Sequence, residues 1–122
     1  MHEISIVVSI LDIVEAKARE QNAHSVQVIK LSLGEFTTIA QDALQFAFES
    51  ARQGTLAGNA RLDIEVIPMR LHCVVCDATT QPEMGILLIC SQCGFPLSII
   101  AGEELQIEYI EVETDEQQTQ WT

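Results

Sequence analysis

The four cysteines of the chain form two identical C-x-x-C pairs. Cys73 and Cys76 make the first pair, Cys90 and Cys93 the second, and thirteen residues separate them. Two residues between thiolates let a tight turn direct both sulfurs at one ion, and two such turns complete a tetrahedron. Four thiolates favour zinc or iron, and a closed sulfur shell leaves no position for a substrate, so the spacing predicts a structural zinc site. Iron, and a redox or disulfide role, are the alternatives.

A second group of potential ligands stands at the start, which reads MHEISIVV. The amino group of Met1, the backbone nitrogen and imidazole of His2, and the backbone nitrogen or carboxylate of Glu3 can close adjoining chelate rings around one cation. Tetragonal nitrogen coordination of this kind suits nickel(II) or copper(II) and suits zinc poorly. On spacing alone the signal is weak, because many proteins begin Met-His by chance. We interpret His24 as a loop residue and His72 as an ordinary neighbour of Cys73.

Composition limits the classes of function. The chain has 122 residues, 48% of them hydrophobic, and a formal net charge of -12. The six basic residues are scattered, so binding to phosphate backbones is disfavoured and we expect no nucleic-acid partner. Glu3 and Asp12 interrupt the apolar start, and no apolar run approaches the roughly 18 residues of a membrane span. We therefore expect a cytoplasmic protein without membrane insertion, in whose reducing compartment cysteines bind metal.

The elements that must position these ligands follow from periodicity. Apolar residues at helical spacing predict a first helix with one buried face, and "VQVIKLSLG" predicts a strand whose alternation slips at Val28-Ile29. A second helix is predicted from about Gln41 to a stop at Gly54, with Phe46 and Phe48 as packing residues. "ARLDIEVIP" and "EELQIEYIEV" predict two further strands, and the residues from about Thr114 a frayed polar tail. The predicted face of the first helix comprises Ile4, Val7, Val8, Leu11, Val14 and Ala18.

The order of these elements predicts an α+β fold, in which two helices cover a small three-stranded sheet. A zinc-ribbon-like module with the two C-x-x-C knuckles interrupts it. We expect residues 1–69 and 102–122 to form the α+β domain and residues 70–101 the inserted zinc domain. A module of about thirty residues is too small to fold without a metal or disulfide, so ligation must supply its stability.

Several motifs together resemble one family. The start "MHEISIVVSILDIVEAKA", then "LSLGE", "FAFESARQGTLAGNARLDIEVIP" and the paired C-x-x-C followed by "GEELQIEYIEV" are similar to the HypA/HybF nickel metallochaperones of hydrogenase maturation. The resemblance implies nickel binding at His2, with Met1 and Glu3 completing the motif, and zinc binding by the four cysteines. It also implies cooperation with the GTPase HypB in loading nickel into the large subunit of nickel-iron hydrogenase, and it leaves a homodimer open. Asp77 stands where many members carry glycine.

Two other classes of function compete with this interpretation. The first is a zinc-ribbon interaction adaptor in which His2 is incidental and the acidic last third binds a basic partner; such an adaptor would bind one metal ion per chain. The second is an enzyme, and it is the poorest fit. The cysteines form a closed shell, only three histidines exist, and no nucleophile and base can be paired from the sequence. We therefore predict a protein that is not an enzyme.

Overall fold

A computed structural model describes residues 3–81, 88–114 and 118–121, the last range for its backbone alone. Within these ranges the chain forms two helices and seven strands. None of the described helices is long and apolar enough to cross a membrane. The element bounds are α1 Glu3–Glu20, β1 Ser25–Gly34, α2 Gln41–Ala51, β2 Arg61–Ile67, β3 Arg70–Cys73, β4 Ala78–Thr80, β5 Ser98–Ala101, β6 Leu105–Glu113 and β7 Gln118–Trp121.

Helix α1 buries one stripe of apolar side chains, as predicted, but the stripe is rotated from the predicted one. Ile6 and Ile10 are buried, whereas Ile4 and Val8 are exposed. At 100° per residue, Val8 projects well away from the stripe that Val7, Leu11 and Val14 define, although it is equally apolar. The buried residues of the helix are Ile6, Val7, Ile10, Leu11, Val14 and Ala18.

Helix α2 packs against α1 and buries Leu44, Ala47 and Phe48. Phe46 is not a packing residue, because its side chain is 74% exposed. Residues 46 and 48 are separated by about 200° around a helix, so both cannot face the same core. Beyond the helix, Gly54 has a φ of 78° and marks the predicted stop.

The first sheet has four strands in the order β2-β1-β6-β7, one more than predicted. The extra strand is β7, which pairs antiparallel with β6 from Glu113↔Gln118 to Ile110↔Trp121. The prediction of a frayed tail was wrong here, because backbone pairing with β6 orders a segment that has no apolar alternation of its own. In β1, Val28 and Ile29 are both buried, so burial stops alternating where the sequence pattern slips.

A second sheet is formed by the strands that flank the cysteine pairs in the chain, and it has the order β4-β3-β5. Strand β3 pairs antiparallel with β4 through Cys73↔Ala78 and with β5 through His72↔Ser98. A short hairpin precedes β5, in which Leu97 N donates to Leu88 O at 2.8 Å and Ile89 is bridged to Pro96. These strands are only three or four residues long.

The chain divides into two compact units. The first contains the described residues up to Leu31, then Thr38–Glu65 and the chain from Gln106 onward; the second contains Ser32–Thr37 and Val66–Leu105. Within the second unit, Met69 N donates to Glu35 Oε2 at 2.8 Å and Phe36 N donates to Gly102 O at 2.7 Å. A β-carbon at Gly102 would come within 2.6 Å of Met69 Cα, so the backbone segments at Met69 and Gly102 lie directly against each other.

Candidate metal centre

The two C-x-x-C pairs converge, as the sequence predicts. The Sγ atoms of Cys73, Cys76, Cys90 and Cys93 all lie within 4.8 Å of one another. The Cys73 and Cys93 sulfurs, which belong to different pairs, are 3.5 Å apart. A tetrahedron with Zn–S bonds of about 2.3 Å has sulfur-sulfur edges of about 3.8 Å. The sulfur cluster therefore fits a tetrahedral ion of that size.

Each pair is held by a local backbone turn. Cys73 is the last residue of β3, and the next turn brings Cys76 N to 3.4 Å from the Cys73 sulfur, to which it donates. In the second pair Cys90 N donates to Phe95 O at 2.8 Å, and Gly94 N donates to Cys90 O at 2.9 Å. Backbone N–H groups aimed at sulfur stabilise a thiolate, so the turns prepare the cysteines for a cation.

A residue in the left-handed region closes each turn. Asp77 follows Cys76 with a φ of 54°, and Gly94 follows Cys93 with a φ of 77°. Glycine enters this region freely, and aspartate is among the few other residues that visit it routinely. Asp77 therefore supports the same turn that a glycine would. The Oδ1 atom of Asp77 lies 3.1 Å from Nε2 of His72. His72, predicted as an ordinary neighbour of Cys73, therefore has a carboxylate partner that the sequence did not indicate.

The thiols differ in acidity. Backbone N–H groups of Cys93 and Gln92 lower the pKa of Cys90 to about 7. In contrast, hydrogen bonding to the Cys93 thiol, followed by desolvation, raises the pKa of Cys76 to about 12. The backbone thus favours the thiolate at Cys90, whereas the neighbouring sulfur and desolvation favour the protonated thiol at Cys76. Binding of a metal ion by the set must release protons.

The arrangement suits a structural role. Cys73 is buried, Cys90 is half-buried, and Cys76 and Cys93 are exposed. A tetrahedral ion bound by all four sulfurs would have no open position, so it would cross-link β3 to the hairpin before β5 and offer nothing to a substrate. Among the residues that the structure describes, no other group of histidine, cysteine and acidic side chains is arranged to hold a metal ion.

The predicted amino-terminal ligands are only partly described. Met1 and His2 lie outside the described residues, and Glu3 is the half-buried first residue of α1. The nickel site therefore stays a prediction. His24, predicted in a loop, immediately precedes β1, where its backbone N–H donates to Glu113 O at 3.0 Å; its Nδ1 lies 4.0 Å from Glu113 Oε1.

Comparison with known proteins extends these observations. Residues 1–112 match the family model described as hydrogenase/urease nickel incorporation, metallochaperone, hypA. A hydrogenase maturation factor HypA from Dehalococcoides mccartyi is 38% identical over 118 residues, which are 96% of this chain and 98% of that protein. The HypA of Aquifex aeolicus is 34% identical over 116 residues, 94% of this chain and 100% of the relative.

Solved structures agree with the sequence matches. The solution structure of the Ni metallochaperone HypA from Helicobacter pylori has a TM-score of 0.68 and 26% identity, covering 94% of this chain and 100% of that one. A second solution structure of a HypA protein gives a TM-score of 0.72 at 26% identity, covering 94% of this chain and 98% of that one. The fold, the converging cysteine pairs and a family match over most of the chain show that this protein belongs to the HypA family of nickel-incorporation metallochaperones.

Proposed function

We propose that the protein binds nickel(II) through the Met1 amino group, His2 and Glu3, and delivers it, with the GTPase HypB, to the large subunit of nickel-iron hydrogenase. The single observation that carries the proposal is the match of residues 1–112 to the nickel-incorporation family, in a chain that begins Met-His-Glu. The Helicobacter pylori relative is itself named a Ni metallochaperone, which supports nickel over the other tetragonal cation, copper.

The start of α1 supports a cargo site rather than a permanent one. The helix begins at Glu3, and its first buried side chains are Ile6 and Val7, so the proposed ligands precede the packed face. A chelate at a chain end can release one donor at a time to an acceptor. The helix amino terminus carries a partial positive charge that opposes a cation, while the Glu3 carboxylate in the first turn offsets it. The position at a chain end and the opposing charge of the helix both favour nickel binding that can be reversed.

We further propose that the four cysteines hold zinc(II) permanently. The support is the convergence of the four sulfurs within 4.8 Å of one another and their four-thiolate chemistry. The sequence contains no glycine-rich phosphate-binding loop, so nucleotide hydrolysis during delivery must come from the GTPase partner. In this proposal the protein holds one structural ion, transports another and catalyses no reaction itself.

Nickel titration of the zinc-loaded protein tests the proposal. His2→Ala, or one residue added ahead of Met1, should remove most nickel binding, while the helical circular dichroism and zinc content stay unchanged. His24→Ala is the matched control, because that histidine is half-exposed and lies outside both proposed sites. Full nickel affinity in the extended protein, or an equal loss in His24→Ala, would place the ligands elsewhere.

The roles of the individual donors can be separated. The α-amino group has a reference pKa of about 7.7–8.0 and histidine about 6.5, so nickel affinity should fall on mild acidification, before zinc is lost. Glu3→Gln removes the carboxylate and keeps the backbone nitrogen, so a small effect indicates backbone ligation. A titration curve that is flat from pH 8 to pH 6 would contradict the proposed donor set.

Delivery is tested in cells. Deleting the gene should lower nickel-iron hydrogenase activity, excess nickel should partly restore it, and a plasmid encoding His2→Ala should fail to restore it at limiting nickel. Normal hydrogenase activity in the deletion strain at limiting nickel would instead support the adaptor interpretation, in which zinc is the only metal bound.

A further inference from the structure

The turn of the first knuckle, residues 73–76, has almost no side-chain packing of its own. Val74 and Val75 are each 60% exposed, and Cys76 is exposed as well. The turn is anchored at its start, because Cys73 is the buried last residue of β3, the middle strand of the second sheet. The contacts that hold its other end, at Cys76, must therefore come from polar groups.

One polar contact between side chains crosses this turn. Nε2 of His72 lies 3.1 Å from Oδ1 of Asp77, and these two residues flank the cysteine pair in the sequence. A carboxylate can only accept a hydrogen bond, so Nε2 carries the hydrogen and donates it. An Nε2–H group exists both in one neutral tautomer and in the imidazolium ion. The bond therefore does not require a charged histidine.

The positions of the two residues show what this hydrogen bond holds. His72 is half-buried on β3, where it pairs with Thr79 of β4, whereas the Asp77 side chain is 93% exposed. The bond therefore ties the residue after Cys76 to the strand that carries Cys73. A glycine in place of Asp77 would accept the φ of 54° freely but would offer no acceptor to His72.

We propose that His72 and Asp77 are positioning residues, which keep Cys76 on the bound zinc ion and thereby slow the release of that ion. The proposal rests on the proposed zinc site. Neither residue is a ligand in it, because the four sulfurs complete the shell. Hydrogen bonds outside a ligand shell commonly tune the affinity for the metal. This pair is largely open to water, so its effect should be modest, about threefold on the rate.

The test measures zinc release from the full-length, zinc-loaded chain to a chromogenic chelator under reducing conditions. His72→Phe keeps a flat ring but removes the donor, so it should speed release about threefold. His72→Gln retains an N–H donor and should stay closer to the original rate than His72→Phe does. His72→Ala, which only deletes atoms, replaces His72→Phe if the phenylalanine ring is not accommodated.

A double-mutant cycle separates the hydrogen bond from the backbone conformation of the turn. Asp77→Gly removes the acceptor and also relieves the left-handed residue, so its own rate contains two effects of opposite sign. In the Asp77→Gly background, however, His72→Phe has no partner left to lose. It should then leave the rate of zinc release nearly unchanged, whereas it speeds release in the original chain.

A second measurement identifies the cysteine through which the pair acts. The zinc-loaded chain is treated briefly with N-ethylmaleimide, and peptide mass spectrometry gives the modified fraction of each cysteine. Cys76 and Cys93 are both exposed, so Cys93 is the internal control. His72→Phe should raise the modification of Cys76 relative to that of Cys93. A general loss of stability would raise both and leave their ratio unchanged.

The proposal is overturned if His72→Phe releases zinc at the original rate, if it has the same effect in the Asp77→Gly background, or if Cys76 and Cys93 gain modification equally. Its failure is distinguishable from failure of the zinc assignment. An original chain that retains no zinc removes the proposed zinc site itself. A zinc-loaded chain whose release rate is unaffected by His72→Phe removes only the positioning pair.

Discussion

The first unit and the cysteine segment, residues 71–101, are stabilised by different physics. The first unit has a continuous apolar core built from α1, α2 and the first sheet, including the fully buried Leu44, Val7 and Ile29. The described part of the cysteine segment buries Leu71 and Cys73 and has strands of three or four residues. Packing can hold the first region, whereas the described part of the second has too little core for packing alone, and the proposed ligation of the four sulfurs would supply its stability.

The largest effect should come from breaking the sulfur shell. Cys93→Ala removes one ligand and its exposed thiol, and structural zinc sites contribute an apparent ~10–16 kcal/mol near neutral pH. The cysteine segment should lose its order while the first unit keeps its chemical shifts in a two-dimensional NMR spectrum. Zinc content should fall at the same time. A variant that held zinc with unchanged affinity would contradict the four-thiolate assignment.

Breaking the core should give the opposite pattern. Phe48→Ala removes a side chain that is 2% exposed and should cost about 3–5 kcal/mol of unfolding free energy, because the cavity cannot refill. Urea unfolding followed by circular dichroism measures this cost. Phe46→Ala is the control on the same helix and should change stability little, since that ring is exposed. Equal losses in both variants would contradict the observed orientation of α2.

The close approach of Gly34 and Gly102 in the second unit should tolerate an added methyl group poorly. A β-carbon at Gly34 would clash with the Gly102 carbonyl group, so Gly34→Ala should cost about 1–3 kcal/mol or more through a forced backbone shift. Gly54→Ala is the control that distinguishes a steric clash from backbone strain. Gly54 has a φ of 78°, and an alanine β-carbon there would meet no atom of the described residues within 4 Å beyond its chain neighbours, so the strain alone should cost about 1–2 kcal/mol. A smaller loss at Gly34 than at Gly54 in urea unfolding would contradict this close approach.

The smallest expected effect concerns an exposed pair on β2. Arg61 Nε and Nη2 donate to the Asp63 carboxylate at 2.6 and 2.9 Å, and this hydrogen bonding lowers the pKa of Asp63 below its ordinary 3.8. A lowered carboxyl pKa stabilises the fold above pH 3.8, and the contribution is lost as the pH falls through the lowered value. Asp63→Asn should slightly flatten the dependence of the urea midpoint on pH between about pH 5 and pH 2. A variant with an unaltered profile would show that solvent screens the pair completely.

Sequence patterns correctly predicted the structure of those regions in which a single physical rule decides it. Ligand spacing predicted that Cys73 and Cys90 would meet, because a metal site fixes its own geometry. Strict alternation predicted β2 and its end before Pro68. The exposed Phe46 was misassigned because composition does not say which of two apolar neighbours faces the core. In β2, Val66 is exposed although it lies in phase with the buried Leu62, so alternation alone does not determine burial.

Other features depend on partners distant in the chain, which a local pattern does not contain. Strand β7 exists through its pairing with β6, and nothing in Gln118–Trp121 alternates. The approach of Gly34 to Gly102 joins residues far apart in sequence, and neither glycine indicates the other. The proposed nickel ligands Met1 and His2 lie outside the described residues, so their assignment rests on the sequence and on the family membership.

The contact between Met69 and Gly102 makes the intervening stretch a closed loop with abutting ends. Once such ends are fixed, the entropic free-energy cost of closing a loop grows only logarithmically with its length, by about 0.6 kcal/mol for each doubling. The length of the stretch is therefore nearly free to vary, and another sequence of different size could be grafted between the same two anchor residues without disturbing the strands on either side. Such tolerance would let the stretch change in length and sequence during evolution while the remaining scaffold stays constant.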